Sequence, residues 1–300
     1  MLRLFAENLL PVFLAAGAGY VVTALWKLDP RPLARVAFNV FAPCLVFQVI
    51  VDSRLPGEEF VRMAGFALTV LLTVAAAVGL VARLMGWARP MTAAVILVVL
   101  LPNAGNFGLP ASLFAFGEDG LAQASVFFVM GALLSFTFGV FVASMGRASL
   151  GPALVGLLKV PAIWSIAIAF VTLRVEWSLP LPLARTVELF SGATIPCFLV
   201  ILGMQLYGNG WRGPVRPLAL AAGARLVLSP AIGLALVGLF GLTGPARQAG
   251  VLQAAMPAAV INIVLATEYD VEPRFVTSAV FATTLLSPIT LTPLLSYLGA

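Results

Sequence analysis

The sequence predicts an all-α integral membrane protein of ten transmembrane helices, arranged as two inverted repeats of five helices each. Three observations support this fold class. The chain of 300 residues is 61% hydrophobic and 10% charged, with a mean hydropathy of +1.08, whereas a soluble domain carries about 25% charged residues. Ten apolar stretches are long enough to cross a bilayer. The two halves of the chain also share short motifs in the same order.

The ten apolar stretches are joined by short connections. A transmembrane helix needs about 20 apolar residues to cross the hydrocarbon core. The fourth and ninth stretches are the weakest helices by propensity, because they contain PNAGNFGLP and MPAAVIN. The predicted spans are residues 7–26, 34–51, 61–84, 91–115, 121–145, 152–172, 183–206, 215–240, 246–267 and 274–297.

The first of these spans has two interpretations. The sequence MLRLFAENLLPVFLAAGAGY resembles a signal peptide that ends near the small residues 15–19. However, Glu7 and Asn8 interrupt the apolar core that a signal peptide needs, and the apolar run continues to Trp26. The sequence therefore favours a retained first helix.

The two halves of the chain resemble each other. FAPCLVF at 41–47 and TIPCFLV at 194–200 are 153 residues apart, and Pro102 and Pro257 are 155 residues apart. Because five is odd, two halves of five spans have opposite orientations, which is the plan of many secondary transporters. We predict a first repeat over residues 1–146, a short cytoplasmic linker over 147–159 and a second repeat over 160–300.

The basic residues predict the orientation of the chain in the membrane. Six of them lie on the side of the N-terminus and ten on the other side. Cytoplasmic loops carry the excess of Lys and Arg. We therefore predict a multi-pass protein of the cell membrane with both termini extracytoplasmic.

The composition also excludes several functions. The chain has no histidine, which excludes HExxH metal sites, Ser-His-Asp triads and histidine proton relays. Cys44 and Cys197 lie in apolar runs and predict no disulfide framework. The basic residues are scattered, which argues against nucleic-acid binding. No enzymatic activity, metal or cofactor is expected.

Two helix breaks lie in corresponding positions of the two repeats, within LPNAGNFGLP at 101–110 and MPAAVIN at 256–262. Backbone groups that a break frees cost several kcal/mol each in hydrocarbon, so a break persists only where protein or a wet cavity surrounds it. A single proline often only kinks a membrane helix. Paired breaks, in contrast, indicate a substrate site near the bilayer midplane.

The chemistry of these breaks favours an anionic ligand. Helix N-termini present free N–H groups and the positive end of a dipole. Asn103, Asn106 and Asn262 would add neutral amide donors, so a carboxylate is the favoured ligand. The same amides and the exposed carbonyl oxygens could instead hold a cation.

Arg225 is the one charge well inside a predicted span, about 15 Å from the start of its helix. Intramembrane charges usually face inward and have a function. Arg225 is predicted either to contact the substrate or to bind exposed carbonyls near Pro230. The glutamines of the spans, among them Gln205 and Gln253, could line a polar path or join helices.

Several segments resemble the auxin efflux carrier family, which contains plant PIN-FORMED proteins and bacterial malonate- or malate-type carriers. These segments are LPNAGNFGLP, AMPAAVINIVLATEYDVEP at 255–273, TSAVFATTLLSPITLTPLL at 277–295, NVFAPCLVF at 39–47 and ARLVLSPAIG at 224–233. The resemblance covers essentially the whole chain.

The resemblance implies a scaffold domain and a transport domain, each drawn from both repeats, with crossed broken helices four and nine. It also implies that Pro102, Asn103 and Pro257 line a carboxylate site. The chain departs from the plant members because their long hydrophilic loop is reduced to about residues 146–159, so kinase regulation through that loop has no basis here. Small Ala258 and Ala259 stand where plant members carry bulkier or polar residues, which argues against an indole substrate.

The sequence therefore predicts a secondary carrier that moves a small organic anion across the cell membrane by alternating access. A sodium- or proton-coupled importer is the alternative, and an anion channel is less favoured. Because no span carries an obvious buried carboxylate or histidine, uncoupled movement driven by the membrane potential is the first hypothesis. The expected partners are the anion and the lipid bilayer, and a homodimer is left open. The predicted substrate-binding residues are Pro102, Asn103, Gly105, Asn106, Pro257, Ala258, Asn262 and Arg225.

Overall fold

A computed structural model describes residues 2–53, 55–144, 161–208 and 214–300. Within these ranges the chain is helical and forms no β-strand. The predicted linker at 147–159 and the first part of the predicted sixth span lie outside the described residues. The helices, numbered in chain order, are α1 (Leu2–Trp26), α2 (Pro30–Ser53), α3 (Gly57–Leu84), α4 (Arg89–Leu100), α5 (Ala104–Ala143), α6 (Pro161–Arg174), α7 (Leu181–Leu206), α8 (Val215–Leu236), α9 (Gly244–Ala254), α10 (Ile261–Glu268) and α11 (Pro273–Leu298).

Among the described helices, seven are long and apolar enough to cross a membrane, namely α1, α2, α3, α5, α7, α8 and α11. Helices α4 and α6 are apolar but shorter. The prediction of an all-α chain with several membrane-spanning helices is confirmed for the described ranges. The count of ten spans and the inverted repeat remain predictions.

Helix α5 contains the second half of the predicted fourth span and nearly all of the fifth. The two parts meet at a kink at Gly117, where φ is 66° and ψ is −161°. A left-handed φ is accessible to glycine at little steric cost because glycine has no β-carbon. The sequence GEDG predicts a turn here. The structure makes the change of direction at one residue, so α5 returns through the bundle without a separate loop.

Four π-helical turns each lie just before a proline in a membrane helix. Proline lacks a backbone N–H, and its ring clashes with the carbonyl oxygen four residues earlier, so it disrupts a regular α-helix. A π-turn bonds each residue to the fifth one along, which locally widens the helix. In each case the proline stands two residues after the π-turn: Phe5–Leu9 precedes Pro11, Ala37–Phe41 precedes Pro43, Ala104–Gly108 precedes Pro110, and Ala224–Leu228 precedes Pro230.

Helices α1, α2, α6 and α7 contact one another and form one group. Within it, the backbones of α1 and α7 lie in direct contact. A β-carbon on Gly203 would lie 1.6 Å from the carbonyl oxygen of Ala16, and one on Gly19 would lie 2.1 Å from that of Val200. Membrane helices approach this closely only where small residues line the contact. The two glycines therefore determine the separation of α1 and α7.

A second group brings α3, α4, α5, α8, α9 and α11 together, and α10 packs on α11. Its interior is apolar and aromatic, with Phe66 and Phe127 fully buried and their rings 6.4 Å apart. The two groups also touch each other. The first turn of α5 contacts α7, and the start of α1 contacts α5. The first predicted helix break therefore lies next to the boundary between the two groups.

Candidate substrate-binding site

The two helix breaks meet each other inside the protein. Helix α4 ends at Leu100 and α5 begins at Ala104, whereas α9 ends at Ala254 and α10 begins at Ile261. The two connecting segments form one antiparallel bridge between Pro102 and Ala258. The N–H of Asn103 donates to the carbonyl oxygen of Pro257 at 2.7 Å, and the N–H of Ala259 donates to that of Leu101 at 2.9 Å. Each break thus satisfies backbone groups that the other exposes, as a site without water requires.

Asn103 stands at the start of α5 with a buried amide that is not fully paired. It is the residue before the first turn of the helix, yet its side chain forms no capping hydrogen bond. Its carbonyl oxygen accepts from the N–H of Gly108 at 2.9 Å. The side chain is 4% exposed, and its Nδ2 has no hydrogen-bond partner among the described residues. An unpaired buried donor costs about 1–3 kcal/mol, so this position favours an acceptor.

Asn106 links the first turn of α5 to the other group of helices. Its Nδ2 donates to Oε1 of Gln205 on α7 at 3.2 Å. The absence of a β-carbon at Gly105 lets the ring of Phe128 approach, because a β-carbon there would lie 2.9 Å from that ring. The rings of Phe128 and Phe198 lie 6.3 Å apart. The first turn of α5 therefore contacts α7 through one amide hydrogen bond and an aromatic cluster that includes Phe198 of α7.

Asn262 and Thr283 hold the second break in place. Nδ2 of Asn262, on α10, donates to the carbonyl oxygen of Leu101 at 3.1 Å. Oγ1 of Thr283, on α11, accepts from the N–H of Ala258 at 3.1 Å. Both side chains are fully buried. Each replaces a backbone bond that the interrupted helices lack.

Arg225 binds the carbonyl ends of both broken helices. Its guanidinium is fully buried, and it donates to the carbonyl oxygens of Val99, near the end of α4, and Ala254, at the end of α9. It also donates to Oγ of Ser229 at 2.6 Å, which in turn donates to the oxygen of Ala254 at 2.7 Å. A cation is favourable at the negative end of a helix dipole. Arg225 therefore neutralises two such ends at once.

The structure brings the predicted substrate-binding residues together around the two breaks, and Arg225 lies at the carbonyl ends of α4 and α9. Pro102, Asn103, Gly105, Asn106, Pro257, Ala258 and Asn262 are all buried. Sequence reasoning missed Ser229 and Thr283, because hydroxyls are common in these helices and carry no pattern. It also missed the carbonyl oxygen of Leu101, since a backbone acceptor leaves no trace in a sequence.

The site is closed in this conformation. Residues 101–112 and 251–259 are buried throughout. A cavity of about 350 Å³ opens instead where α2 ends and α3 and α9 begin, and its walls include Glu59, Asp119 and Gln123. A ligand at the breaks therefore requires the helices around the site to move.

Comparison with known proteins identifies the family. A family described as Membrane transport protein matches residues 4–150 and 143–295. An "Uncharacterized transporter" of Methanothermobacter thermautotrophicus is 28% identical over 95% of each chain. A "Putative malonate transporter" of Rhizobium meliloti is 28% identical over 95% of this chain and 93% of its own. "Auxin efflux carrier component 1" of Arabidopsis thaliana is 30% identical over 39% of this chain and 20% of its own. With almost all of its length matched, the chain belongs to the membrane transport protein family of the auxin efflux carriers and is a multi-pass membrane protein.

Proposed function

We propose that this chain is a secondary transporter that carries a small carboxylate by alternating access. The observation that supports it best is the unpaired, buried amide nitrogen of Asn103 at the start of α5, beside the bridge between the breaks. The first N–H groups of a helix have no partner within the helix and favour negative charge. A bound carboxylate would accept from this amide and from the N–H groups of the first turn.

The two interrupted segments act as crossed broken helices of a five-plus-five inverted repeat, with residues 1–146 and 160–300 as the repeats. The antiparallel bridge between Pro102 and Ala258 supports this arrangement, since equivalent segments of opposite orientation meet antiparallel. The sequence offset of the two prolines supports it as well. Both positive helix ends, of α5 and α10, then lie near one point.

Helices α1, α2, α6 and α7 form the scaffold, and the helices around the breaks form the moving part. The contact between Asn106 and Gln205 lies on the boundary between them, as does the pair of Phe128 and Phe198. In an alternating-access cycle the breaks travel past this boundary, so the hydrogen bond between the side-chain amides of Asn106 and Gln205 must open. The small side chain of Gly105 permits the sliding contact with the aromatic rings.

The substrate is a small mono- or dicarboxylate. Pro102, Asn103, Gly105, Asn106, Pro257, Ala258 and Asn262 form the wall of its site. Nδ2 of Asn103 is the free side-chain donor among them, since Nδ2 of Asn106 and of Asn262 already donate within the protein. The name of the Rhizobium meliloti relative refers to a dicarboxylate of this size. Arg225 does not contact the substrate in this scheme, because its two terminal nitrogens donate to carbonyl and hydroxyl oxygens on the other side of the breaks.

The protein lies in the cell membrane with both termini extracytoplasmic, as the distribution of basic residues favours. Transport rather than catalysis agrees with the names of the relatives.

Binding of carboxylates to the purified protein tests the proposal. We expect malonate, malate or acetate to raise the unfolding midpoint of the wild-type protein and to support counterflow in proteoliposomes. Asn103→Ala should weaken binding about tenfold or more, since a hydrogen bond to a charged ligand contributes about 1.5–3 kcal/mol.

Asn39→Ala is the matched control, because Asn39 is exposed and its amide donates only to the carbonyl oxygen of Arg35 within α2. It should bind as the wild type does. Equal binding by the Asn103 and Asn39 variants would refute the site, and failure of every carboxylate to bind or exchange would refute the proposed substrate class.

A further inference from the structure

Gln253 on α9 is fully buried, and its unpaired side-chain oxygen lies against the first turn of α5, directly after the first break. Nε2 of Gln253 donates to the carbonyl oxygen of Ala104 at 3.4 Å, which assigns the nitrogen and leaves Oε1 as the free atom. Oε1 has no partner within the described part of the chain. It lies against Gly108, where a β-carbon would be 2.2 Å away. A larger residue at 108 would displace this oxygen.

Two further unpaired oxygens continue from Gln253 toward the cavity. Ser112 stands one turn beyond Gly108 on α5, hence on the same helix face, and its Oγ is fully buried without a partner in the described ranges. Gln123 lines the cavity and is 4% exposed. Its Nε2 donates to Oε2 of Glu59 at 2.8 Å, so its Oε1 is again the unpaired atom.

The mouth of the cavity is acidic. Glu59 and Asp119 are exposed on its wall, and the nearby guanidinium of Arg62 is paired with Glu58. Helix α9 begins at this cavity and ends at the break, and Gln253 lies about 10 Å along it from Ala246 in the cavity wall. Acceptor oxygens therefore extend from an acidic opening to the edge of the substrate site.

We propose that these oxygens form the access path and binding site of a sodium ion, with Gln253 Oε1 as its innermost side-chain ligand. Neutral amide, hydroxyl and carbonyl oxygens bind alkali cations, and unwound helices in transporters present them near the substrate. The glutamine oxygens accept but do not donate, so an anion would find few partners here. The close approach of Gly108 favours a small cation over a large one. The use of this ion to drive the carboxylate rests on the proposed function, but its binding does not.

Sodium binding to the intact purified protein in detergent tests the inference. The test compares unfolding midpoints in sodium chloride and in choline chloride at equal ionic strength, together with direct binding of radioactive sodium. Sodium should raise the midpoint of the wild type, because a ligand that binds only the folded state stabilises it. Gln253→Leu should weaken the apparent sodium affinity about tenfold or more, and Ser112→Ala should weaken it without a large change in volume.

Gln48→Leu is the matched control, because Gln48, on α2, also has a buried, unpaired Oε1 but lies outside the path. It should keep the full sodium effect. Equal midpoints in sodium and choline with no bound radioactive sodium would overturn the inference, as would an unchanged affinity in both Gln253→Leu and Ser112→Ala. Carboxylate binding measured in choline separates the two proposals, since a protein that binds the anion but no sodium refutes only the ion site.

Discussion

Arg225 offers the most direct test of how the two helix breaks are held together. Its guanidinium joins α8 to the carbonyl ends of α4 and α9 through Val99 and Ala254, and Ser229 completes the network. Arg225→Ala removes the guanidinium donors, so the carbonyl oxygen of Val99 loses this partner and that of Ala254 keeps only the hydroxyl of Ser229. We expect this variant to be less stable because the helix ends lose their partner, and not because a contact with substrate is lost.

The size of the loss follows from these contacts. Hydrogen bonds to a charged group contribute about 1.5–3 kcal/mol each, but three bonds in one network do not add. A buried acceptor left without its partner costs about 1–3 kcal/mol, and truncation of a large buried side chain also leaves a cavity, so we expect a loss on the order of 3–5 kcal/mol for Arg225→Ala. At about 2–4 °C per kcal/mol, the unfolding midpoint should fall on the order of 10 °C. Arg225→Lys keeps the charge but lacks the planar fork, so it should lose less and retain some transport.

Thermal unfolding and carboxylate binding, measured on the same preparations, separate the two roles considered for this residue. Arg216→Ala is the control, because Arg216 is exposed at the start of the same helix. An Arg225→Ala protein with a wild-type midpoint but no carboxylate binding would identify Arg225 as a substrate ligand. A wild-type midpoint together with wild-type binding and transport would refute its role at the breaks altogether.

Three further predictions concern the site, the helix contact and the topology. Asn103→Asp should raise the unfolding midpoint and abolish carboxylate binding, because a fixed carboxylate at a helix N-terminus contributes about 0.3–2 kcal/mol and occupies the position of the ligand; binding that survives would contradict the site. Gly203→Ala should destabilise the protein by about 1–3 kcal/mol, since its β-carbon would lie 1.6 Å from the oxygen of Ala16; an unchanged midpoint would contradict this contact. Single cysteines at positions 148 and 300, in a cysteine-free background, should label from opposite sides of intact cells, and labelling from one side would refute the inverted repeat.

The sequence predicts the elements of this fold better than their contacts. Apolar stretches and composition reveal the membrane helices, and the Pro-Asn-Gly run at 101–110 reveals a break, because these are local signals. The bridge between Pro102 and Ala258 joins segments far apart in the chain, and periodicity carries no information about it. The kink at Gly117 illustrates a local limit, since GEDG predicts a turn but not the single residue that makes it.

The polar contacts at the site were predictable in kind but not in partner. The depth of Arg225 in its span indicates a buried charge, and carbonyl binding was one of the two roles considered. The carbonyls it binds belong to Val99 and Ala254 rather than to the neighbourhood of Pro230. Backbone acceptors are the same at every residue, so no side-chain pattern can single them out. Only the fold brings them to the guanidinium.

The charge of Arg225 is balanced at the breaks without an acidic partner among the described residues. Each helix end carries about half an elementary charge, positive at the N-terminus and negative at the C-terminus. The two carbonyl ends, of α4 and α9, together amount to about −1, which the single charge of Arg225 offsets. The N-terminal ends of α5 and α10 then remain as about +1 near Asn103. One carboxylate would match that charge. Under the proposed function, Arg225 therefore favours the anion from a distance, because it compensates the negative helix ends and leaves the positive ones unopposed.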